Sequence, residues 1–342
     1  MKKNLCVFAS YSKNNRVYNY VLLLLKGIKE ELNCDIYFST ASQEINRDDE
    51  QKLKTLCVGV EQIENRYDFG SYFNGLKKTK NWKSYERVFF INDSIYGPVY
   101  PFNDIYKEMT TKECDVWSLT EGFSYGKGYH LQSYFLCFNK TSYDVLTQFV
   151  ENYQYPKEYL EVIKQGEIGL TQTLLNAGLR VRSYVSKSDF VSKIFDSNTE
   201  MIVSLNQKRK KAVGSYLLNT NFLITFWKEC LDYYKLPVLK VKLIKEEQFF
   251  SLHFGKWHSY CGEELKEAIE EHIHYELTLS DVKKSKLTPF KAYSRFFKNM
   301  FNPTIFSREM TNVQTLEEAA TELKRVSKKD SYFRPESNLF RL

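Results

Sequence analysis

The sequence predicts an α/β protein with a largely parallel central sheet. Short apolar runs alternate with segments of helical spacing through about the first 140 residues, and this alternation is typical of βαβ units. Several of the runs end in polar residues, which is where ligand sites lie in sheets of this kind. Hydrophobic residues make up 43% of the chain and charged residues 27%, a balance that excludes wholesale disorder.

The individual elements follow from the spacing of apolar residues. Apolar runs of strand length occupy residues 4–9, 35–39, 56–60, 87–91, 115–119, 134–138 and 179–185. Helical spacing is found in residues 18–32, 71–78, 102–109, 141–152, 166–178, 219–234 and 263–276. The chain has no internal repeat and no low-complexity linker, so these elements are predicted to form one unit.

The basic excess of the chain lies entirely in its last sixty residues. Residues 1–282 hold 36 basic and 36 acidic residues, whereas residues 283–342 hold 13 basic and 6 acidic residues. A neutral body argues against a nucleic-acid-binding core, because phosphate backbones are bound by clustered cations. We therefore divide the chain into a domain over residues 1–282 and a basic extension over residues 283–342.

The cysteines and the apolar runs indicate the compartment. The seven cysteines form no C-x-x-C pair and mostly lie within apolar runs, which predicts reduced, buried thiols in a cytoplasmic protein. The apolar run at residues 21–25 is far shorter than the roughly 20 residues of a membrane span. The residues predict neither a signal peptide nor a transmembrane helix.

Two polar loops in the first third of the chain could contact a nucleotide. Ser10 and Tyr11 follow the first strand and offer a hydroxyl and backbone amides, although an ordinary turn would look the same. In the second loop, Gly70 would allow close backbone approach before a helix start, where free amides bind anions. Asp68 could accept hydrogen bonds from a sugar or base, or could simply cap the helix. Arg66 could offset phosphate charge.

Two further loops carry carboxylates. Asn92, Asp93 and Ser94 follow the RVFFI strand, and an acidic residue at the end of a buried strand is costly unless it binds something. Asp93 could hold a divalent cation beside a diphosphate, but Asn, Asp, Gly and Pro also favour plain turns. Glu167 lies at the start of a predicted helix, where it could act as a general base or interact favourably with the helix dipole as a first-turn charge.

The order and spacing of these loops resemble those of the rhamnan synthesis protein F family of bacterial polysaccharide glycosyltransferases. The resemblance covers roughly residues 1–280, and NDSxYGP is its most specific motif. The matching blocks are YDFGSYFNGL (67–76), FFINDSIYGPVYPF (89–102), HLQSYFLCF (130–138), EIGLTQTLLNAGLRV (167–181) and NTNFLITFWKECLDYYKLPVLKV (219–241).

The resemblance implies a GT-A-like fold and an inverting hexosyltransferase, with dTDP-rhamnose as the default nucleotide-sugar donor. The wider fold carries a DxD motif that binds Mg²⁺ or Mn²⁺ at a strand end, and the matching Asn92-Asp93-Ser94 has one carboxylate. Both a metal-dependent and a metal-free enzyme therefore remain open. Inverting members also place an acidic base at the start of a later helix, which implies Glu167 as the catalytic base and Asp93 as the group that organises the leaving diphosphate.

Other residues are weaker candidates for the same site. His130 and Gln132 lie between two apolar stretches and could bind the acceptor, or His130 could be structural. The segment around His253 and Lys256 is similar to a C-terminal stretch of some retaining GT-A enzymes, where a histidine binds metal and a lysine binds the diphosphate. The spacing differs, so His253 remains a weak metal candidate and Lys256 a weak donor-site candidate.

The basic extension carries an amphipathic pattern. Aromatic residues and Met300 recur at helical spacing between residues 290 and 301, and Lys291, Arg295 and Lys298 lie on the opposite side. Such a helix over residues 283–301 suits an anionic membrane surface, but its aromatic stripe could equally dock on the body of the enzyme. The resemblance implies a glycan acceptor that is lipid-linked, and hence an enzyme peripheral to the inner face of the cell membrane.

Two rival functions remain open from the sequence. One is a transferase of the same fold that uses another nucleotide sugar. The other is a non-catalytic subunit that binds nucleotides or carbohydrates within a polysaccharide assembly complex.

Overall fold

The central sheet is mixed and mostly parallel, as the sequence predicts. The computed structural model describes residues 2–64, 67–124, 128–190, 193, 221–245 and 256–276. The strands are β1 (Asn4–Ser10), β2 (Cys34–Thr40), β3 (Gly59–Gln62), β4 (Arg87–Asn92), β5 (Ile95–Tyr96), β6 (Val116–Ser124), β7 (Gly128–Leu131), β8 (Phe135–Asn139), β9 (Val181–Val185) and β10 (Leu239–Lys240). The predicted extension over residues 283–342 lies outside the described residues.

The order of strands in the main sheet is β3-β2-β1-β4-β8-β6-β7, with β9 paired to β6. Strands β1 to β4 run parallel to one another, β8 is antiparallel to both β4 and β6, and β9 is parallel to β6. Strands β1 and β4 are central and parallel, which explains their almost continuous apolar sequences. A separate two-stranded ribbon joins β5 to β10 in antiparallel register.

Helices connect the strands and cover both faces of the sheet. They are α1 (Asn19–Glu31), α2 (Arg47–Leu56), α3 (Tyr67–Lys78), α4 (Phe102–Thr111), α5 (Tyr143–Asn152), α6 (Tyr159–Val162), α7 (Gly169–Asn176), α8 (Phe222–Thr225), α9 (Trp227–Tyr234), α10 (Val241–Lys245) and α11 (Glu263–Glu276). A π-helical segment, Ile163–Ile168, joins α6 to α7 without a break. Within the described residues, no helix is both long and apolar enough to cross a membrane.

Two hydrophobic cores lie on opposite faces of the sheet. Alternation along β1 sends Phe8 into the core beneath α1, α4, α9 and α11, and Val7 into the core beneath α3, α5 and α7. All seven cysteines are unpaired and at least partly buried, which agrees with the reduced thiols expected. This layered packing fixes the carboxyl ends of β1 and β4 at one edge of the sheet, where the polar loops converge.

Several predicted boundaries were wrong in ways that affect the site. Helix α3 begins at Tyr67 and not near residue 71, so Gly70 is buried within its first turn and is not a loop residue. The helix around Glu167 begins at Tyr159, because α6, the π segment and α7 are continuous. Glu167 therefore lies inside a helix, and the expected role of a first-turn charge on the helix dipole does not apply. Strand β7, which holds His130, was not predicted.

Candidate functional site

The Asp93 carboxylate connects the ends of the two central strands. Asp93 Oδ2 accepts hydrogen bonds from Ser10 Oγ and from the backbone amide of Tyr11, both at 2.7 Å. Tyr20 on α1 donates from its hydroxyl to the backbone carbonyl of Asp93 at 3.0 Å. Burial raises the pKa of Asp93 to about 7, although these hydrogen bonds oppose the shift. Tyr11 is 55% exposed.

A chain of hydrogen bonds runs from α3 across the Asn92-Asp93-Ser94 turn. Asn92 Nδ2 donates to Asp68 Oδ2 at 2.7 Å, and Ser94 Oγ donates to Asn92 Oδ1 at 2.6 Å. Lys240 Nζ donates in turn to Ser94 Oγ at 3.0 Å. Burial raises the pKa of Asp68, while Lys240 and the Asn92 amide lower it. Asn92 and Ser94 are therefore engaged within the protein and hold Asp68 in place.

Glu167 points toward the same edge from the π-helical segment. Its Oε1 accepts a hydrogen bond from the backbone amide of Ser133 at 2.6 Å, and its side chain keeps 16% exposure. Gly166 makes this approach possible, because a Cβ at that position would lie 2.6 Å from the ring of Phe69. Phe69 is adjacent to Asp68, so the packing of Gly166 on Phe69 holds the two acidic residues near each other. Single π turns inside α-helices occur frequently at functional sites.

His130 lies on β7, and Gln132 comes directly after that strand. His130 Nε2 lies 3.8 Å from Glu167 Oε2, and the ring packs over Gly122 of the paired strand. Burial lowers the pKa of His130, and the carboxylate of Glu167 opposes that shift. Gln132 Oε1 accepts a hydrogen bond from Thr120 Oγ1 at 3.1 Å. The structure thus brings His130 to Glu167, whereas Gln132 lies at the edge of the group.

Lys240 is the residue that sequence reasoning missed. It lies at the end of β10, and its ammonium reaches Ser94 and stands 3.6 Å from the centroid of the Tyr134 ring. Burial lowers the pKa of Lys240 to about 7, while the charges of Glu167 and Asp68 raise it. The residue belongs to the last of the five sequence blocks, but no feature of VLKVK distinguishes it from a surface lysine. What places Lys240 at the site is the pairing of its strand with β5, which comes directly after the Asn92-Asp93-Ser94 turn.

Two of the remaining predicted residues, Gly70 and Lys256, are not joined to this cluster in the part of the chain that the structure describes. Lys256 is exposed in a short 3₁₀ helix, and no contact among the described residues links it to Asp93 or Glu167. Gly70 is buried in α3 and offers no open loop backbone. Arg66 and His253 lie outside the described residues.

Among the described residues, the strand ends offer no ready-made set of protein ligands for a divalent metal. Within the described part of the chain, no group of three or more His, Cys, Asp or Glu side chains is placed to hold a metal ion. Asp93 Oδ2 is already engaged by two donors, and the amide of Asn92 is engaged at both ends. We therefore assign no step to a metal.

Comparison with known proteins identifies the family. A sequence model described as rhamnan synthesis protein F matches residues 37–208, half of the chain. The chain belongs to the rhamnan synthesis protein F family. The match includes β4, the Asn92-Asp93-Ser94 turn and Glu167. Membership in the rhamnan synthesis protein F family supports a glycosyltransferase activity in polysaccharide synthesis.

Solved structures show more distant likenesses to this member of the rhamnan synthesis protein F family. Residues 1–349 of S. aureus TarS, in complex with UDP, are 15% identical, with 97% of this chain and 93% of that chain covered and a TM-score of 0.37. A putative nucleotide-diphospho-sugar transferase from Desulfovibrio desulfuricans is 14% identical, with 54% of this chain and 80% of that chain covered and a TM-score of 0.35. The mannosyltransferase Ktr4p from S. cerevisiae, in complex with GDP, is 8% identical, with 52% of this chain and 68% of that chain covered and a TM-score of 0.31. No curated protein sequence matches the chain.

Proposed function

We propose that the chain is an inverting glycosyltransferase that moves L-rhamnose from dTDP-rhamnose to a sugar hydroxyl of a growing bacterial polysaccharide. The observation that carries this proposal is the position of the Glu167 carboxylate. It is fixed by the Ser133 amide and stands beside Asp68 and Lys240 at the ends of the central strands. Membership in a rhamnan synthesis family supports the choice of sugar.

In the proposed reaction, Glu167 acts as the general base. The acceptor hydroxyl oxygen attacks the anomeric carbon of the donor, and its proton passes to the Glu167 carboxylate. The bond between the anomeric carbon and the diphosphate oxygen breaks, and the electron pair leaves with the nucleoside diphosphate. A single displacement of this kind inverts the anomeric configuration. His130, 3.8 Å from Glu167 Oε2, keeps that oxygen near a polar partner, and Gln132 would bind the acceptor.

The donor would bind where β1 and β4 end. Ser10, Tyr11 and Asp93 would contact the nucleotide, with the exposed Tyr11 ring stacking on the base. Asp68, held by the Asn92 amide, would accept a hydrogen bond from a hydroxyl of the donor. A carboxyl whose pKa is raised to about 7, such as Asp93, is protonated in part at neutral pH and repels a diphosphate less than a full carboxylate does.

The acceptor in this proposal is a lipid-linked glycan, and the enzyme works at the cytoplasmic face of the membrane. The support is the charge of residues 283–342, with 13 basic and 6 acidic residues. A basic and aromatic segment is attracted to anionic lipid headgroups. It would keep the enzyme near an acceptor that cannot leave the bilayer.

Replacement of the base tests the proposal. Glu167→Gln should lower the turnover of dTDP-rhamnose by roughly 10²-fold or more, the usual contribution of a positioned general base. Binding of dTDP should persist, because the amide retains the shape of the side chain. Glu161→Gln is the matched control, since it makes the same exchange on a more exposed position of the same continuous helix.

Two results would contradict parts of the proposal. Turnover near the wild-type value in a folded Glu167→Gln protein would remove Glu167 as the base. Thermal-shift measurements across a panel of nucleotide sugars should give the largest stabilisation with dTDP-rhamnose, because a ligand stabilises the state that binds it. A larger shift with another nucleotide sugar would change the donor, and binding without turnover by the wild type would favour a non-catalytic subunit.

A further inference from the structure

Lys240 reaches the site by a route built into the backbone. Strand β10 pairs with β5 so that Lys240 lies opposite Ile95, and the amide of Val241 donates to the carbonyl of Ser94 at 2.9 Å. The lysine is thereby fixed to the Asn92-Asp93-Ser94 turn. The residue as a whole is half-buried.

The ammonium of Lys240 has few partners for a group so deep in the protein. It donates to the neutral Ser94 hydroxyl and faces the Tyr134 ring, a favourable position for a cation. Within the described residues, no carboxylate forms a direct ion pair with it, although Asp68 and Glu167 act on it at longer range. An ammonium has three N–H donors. The described residues therefore leave part of its hydrogen-bonding capacity unused, and burial without a direct counter-ion is costly.

A bound nucleotide-sugar donor would need the positive charge of Lys240 at this site. Asp68, Asp93 and Glu167 already bring three carboxyl groups to the strand ends, and a nucleotide sugar adds a diphosphate. Stabilising such a leaving group requires a cation aimed at the oxygens where charge develops. The carboxylates present do not form a metal-binding group.

We propose that the Lys240 ammonium binds the diphosphate of the donor and serves in place of a divalent cation, so that transfer requires no metal. This inference rests on the proposed function. As the bond to the anomeric carbon breaks, the phosphate oxygens gain negative charge and their hydrogen bonds to the ammonium strengthen. The lysine keeps its proton throughout, and the acceptor proton passes to Glu167 as before.

Equilibrium binding of nucleoside diphosphates tests the inference with the full-length protein. The probe is whichever of dTDP, UDP and GDP stabilises the wild type most. Its affinity should be the same in EDTA and in excess Mg²⁺, within roughly twofold, if the protein supplies the cation. Lys240→Met should bind the probe roughly 10- to 100-fold more weakly in EDTA, as expected for the loss of a charge-assisted hydrogen bond.

Two variants separate a binding role from a structural one. Lys240→Arg keeps the positive charge and should recover most of the lost affinity, whereas a purely structural lysine would gain nothing from it. Lys242→Met removes an exposed lysine two residues away and should bind as the wild type does. The comparison of probe affinity in EDTA and in excess Mg²⁺ uses the wild type alone. It therefore tests whether binding needs a metal even if Lys240→Met does not fold.

Each outcome has a distinct meaning. Wild-type binding that weakens more than roughly tenfold in EDTA, or unchanged binding by folded Lys240→Met, would overturn the role of Lys240 and leave the glycosyltransferase proposal intact. Absence of binding of all three diphosphates to the wild type would remove the proposed function, and the inference with it.

Discussion

At the scale of single residues, two groups with opposite charges titrate in the same range. Burial raises the pKa of Asp93 to about 7 and lowers the pKa of Lys240 to about 7. Below this range Asp93 is neutral and Lys240 is positive; above it, Asp93 is negative and Lys240 is neutral. A rise in pH through 7 therefore makes the site more negative at two positions.

Binding of a diphosphate should consequently weaken as the pH rises. Between about pH 6 and about pH 8, we expect the affinity for dTDP to fall by at least roughly tenfold, because both changes oppose an anion. Titration calorimetry at a series of pH values measures the effect. In Asp93→Asn the affinity for dTDP should depend less steeply on pH, because an amide does not titrate. Ionisation of the ligand affects the wild type and the variant equally, so the difference between them comes from Asp93. An affinity that stays flat or rises with pH would contradict the assignment of these charges.

At the scale of elements, the β5–β10 ribbon determines where Lys240 stands. Gly97 follows β5, and a Cβ at this position would lie 2.7 Å from the carbonyl oxygen of Pro237. That carbonyl accepts a hydrogen bond from the amide of Val99 at 2.7 Å, so it is not free to move. The glycine of the NDSxYGP motif therefore permits the close approach of the strand that ends in Lys240.

Substitution of this glycine should affect stability and binding together. Gly97→Ala should lower the free energy of unfolding by about 1–3 kcal/mol, the usual cost of overpacking, and should weaken dTDP binding because β10 must shift. Urea denaturation and calorimetry measure the two effects. Gly262→Ala is the control, because a Cβ there meets no atom within 4 Å. An unchanged affinity in a destabilised Gly97→Ala protein would show that the ribbon does not position the site.

The same element explains why part of the site could not be predicted. Strands β1 and β4 were predictable because central parallel strands are apolar throughout, and the polar residues that end them, Ser10 and Asp93, followed directly. Strands β5 and β10 have two residues each, too few for any periodicity to appear. Lys240 therefore could not be predicted as a site residue from the sequence. Only the pairing of β10 with β5, which are distant in the chain, brings it to the site.

A glycine misled the prediction of where helix α3 begins. Gly70 suggested a loop before a helix start, because glycine commonly interrupts helices. In the structure Gly70 lies inside α3, and Gly166 lies inside the π-helical segment. At Gly166 the reason is packing, since a side chain would collide with Phe69. Sequence reasoning recognises the flexibility of glycine, whereas the absence of a side chain becomes informative only when the neighbouring element is known.

At the scale of the whole molecule, charge separates the site from the rest of the chain. The site lies in residues 1–282, which hold equal numbers of basic and acidic residues, and the surplus of 13 basic over 6 acidic residues lies in 283–342. Attraction to an anionic membrane would then come from a segment outside the cluster formed by Asp93, Glu167 and Lys240. Membrane binding and donor binding should be separable properties.

Removal of residues 283–342 should therefore abolish flotation with anionic vesicles and leave dTDP binding within roughly twofold of the full chain. Each lysine or arginine near an anionic surface contributes about 1 kcal/mol, so a net surplus of several charges is sufficient for binding. Flotation of the full chain should also decline with added salt and with uncharged lipids, because the attraction is screened or absent. Equal flotation of both proteins would contradict a membrane role. If the truncated protein instead melts at a lower temperature with flotation unchanged, the aromatic stripe docks on the body of the enzyme, because losing that contact removes stabilising burial.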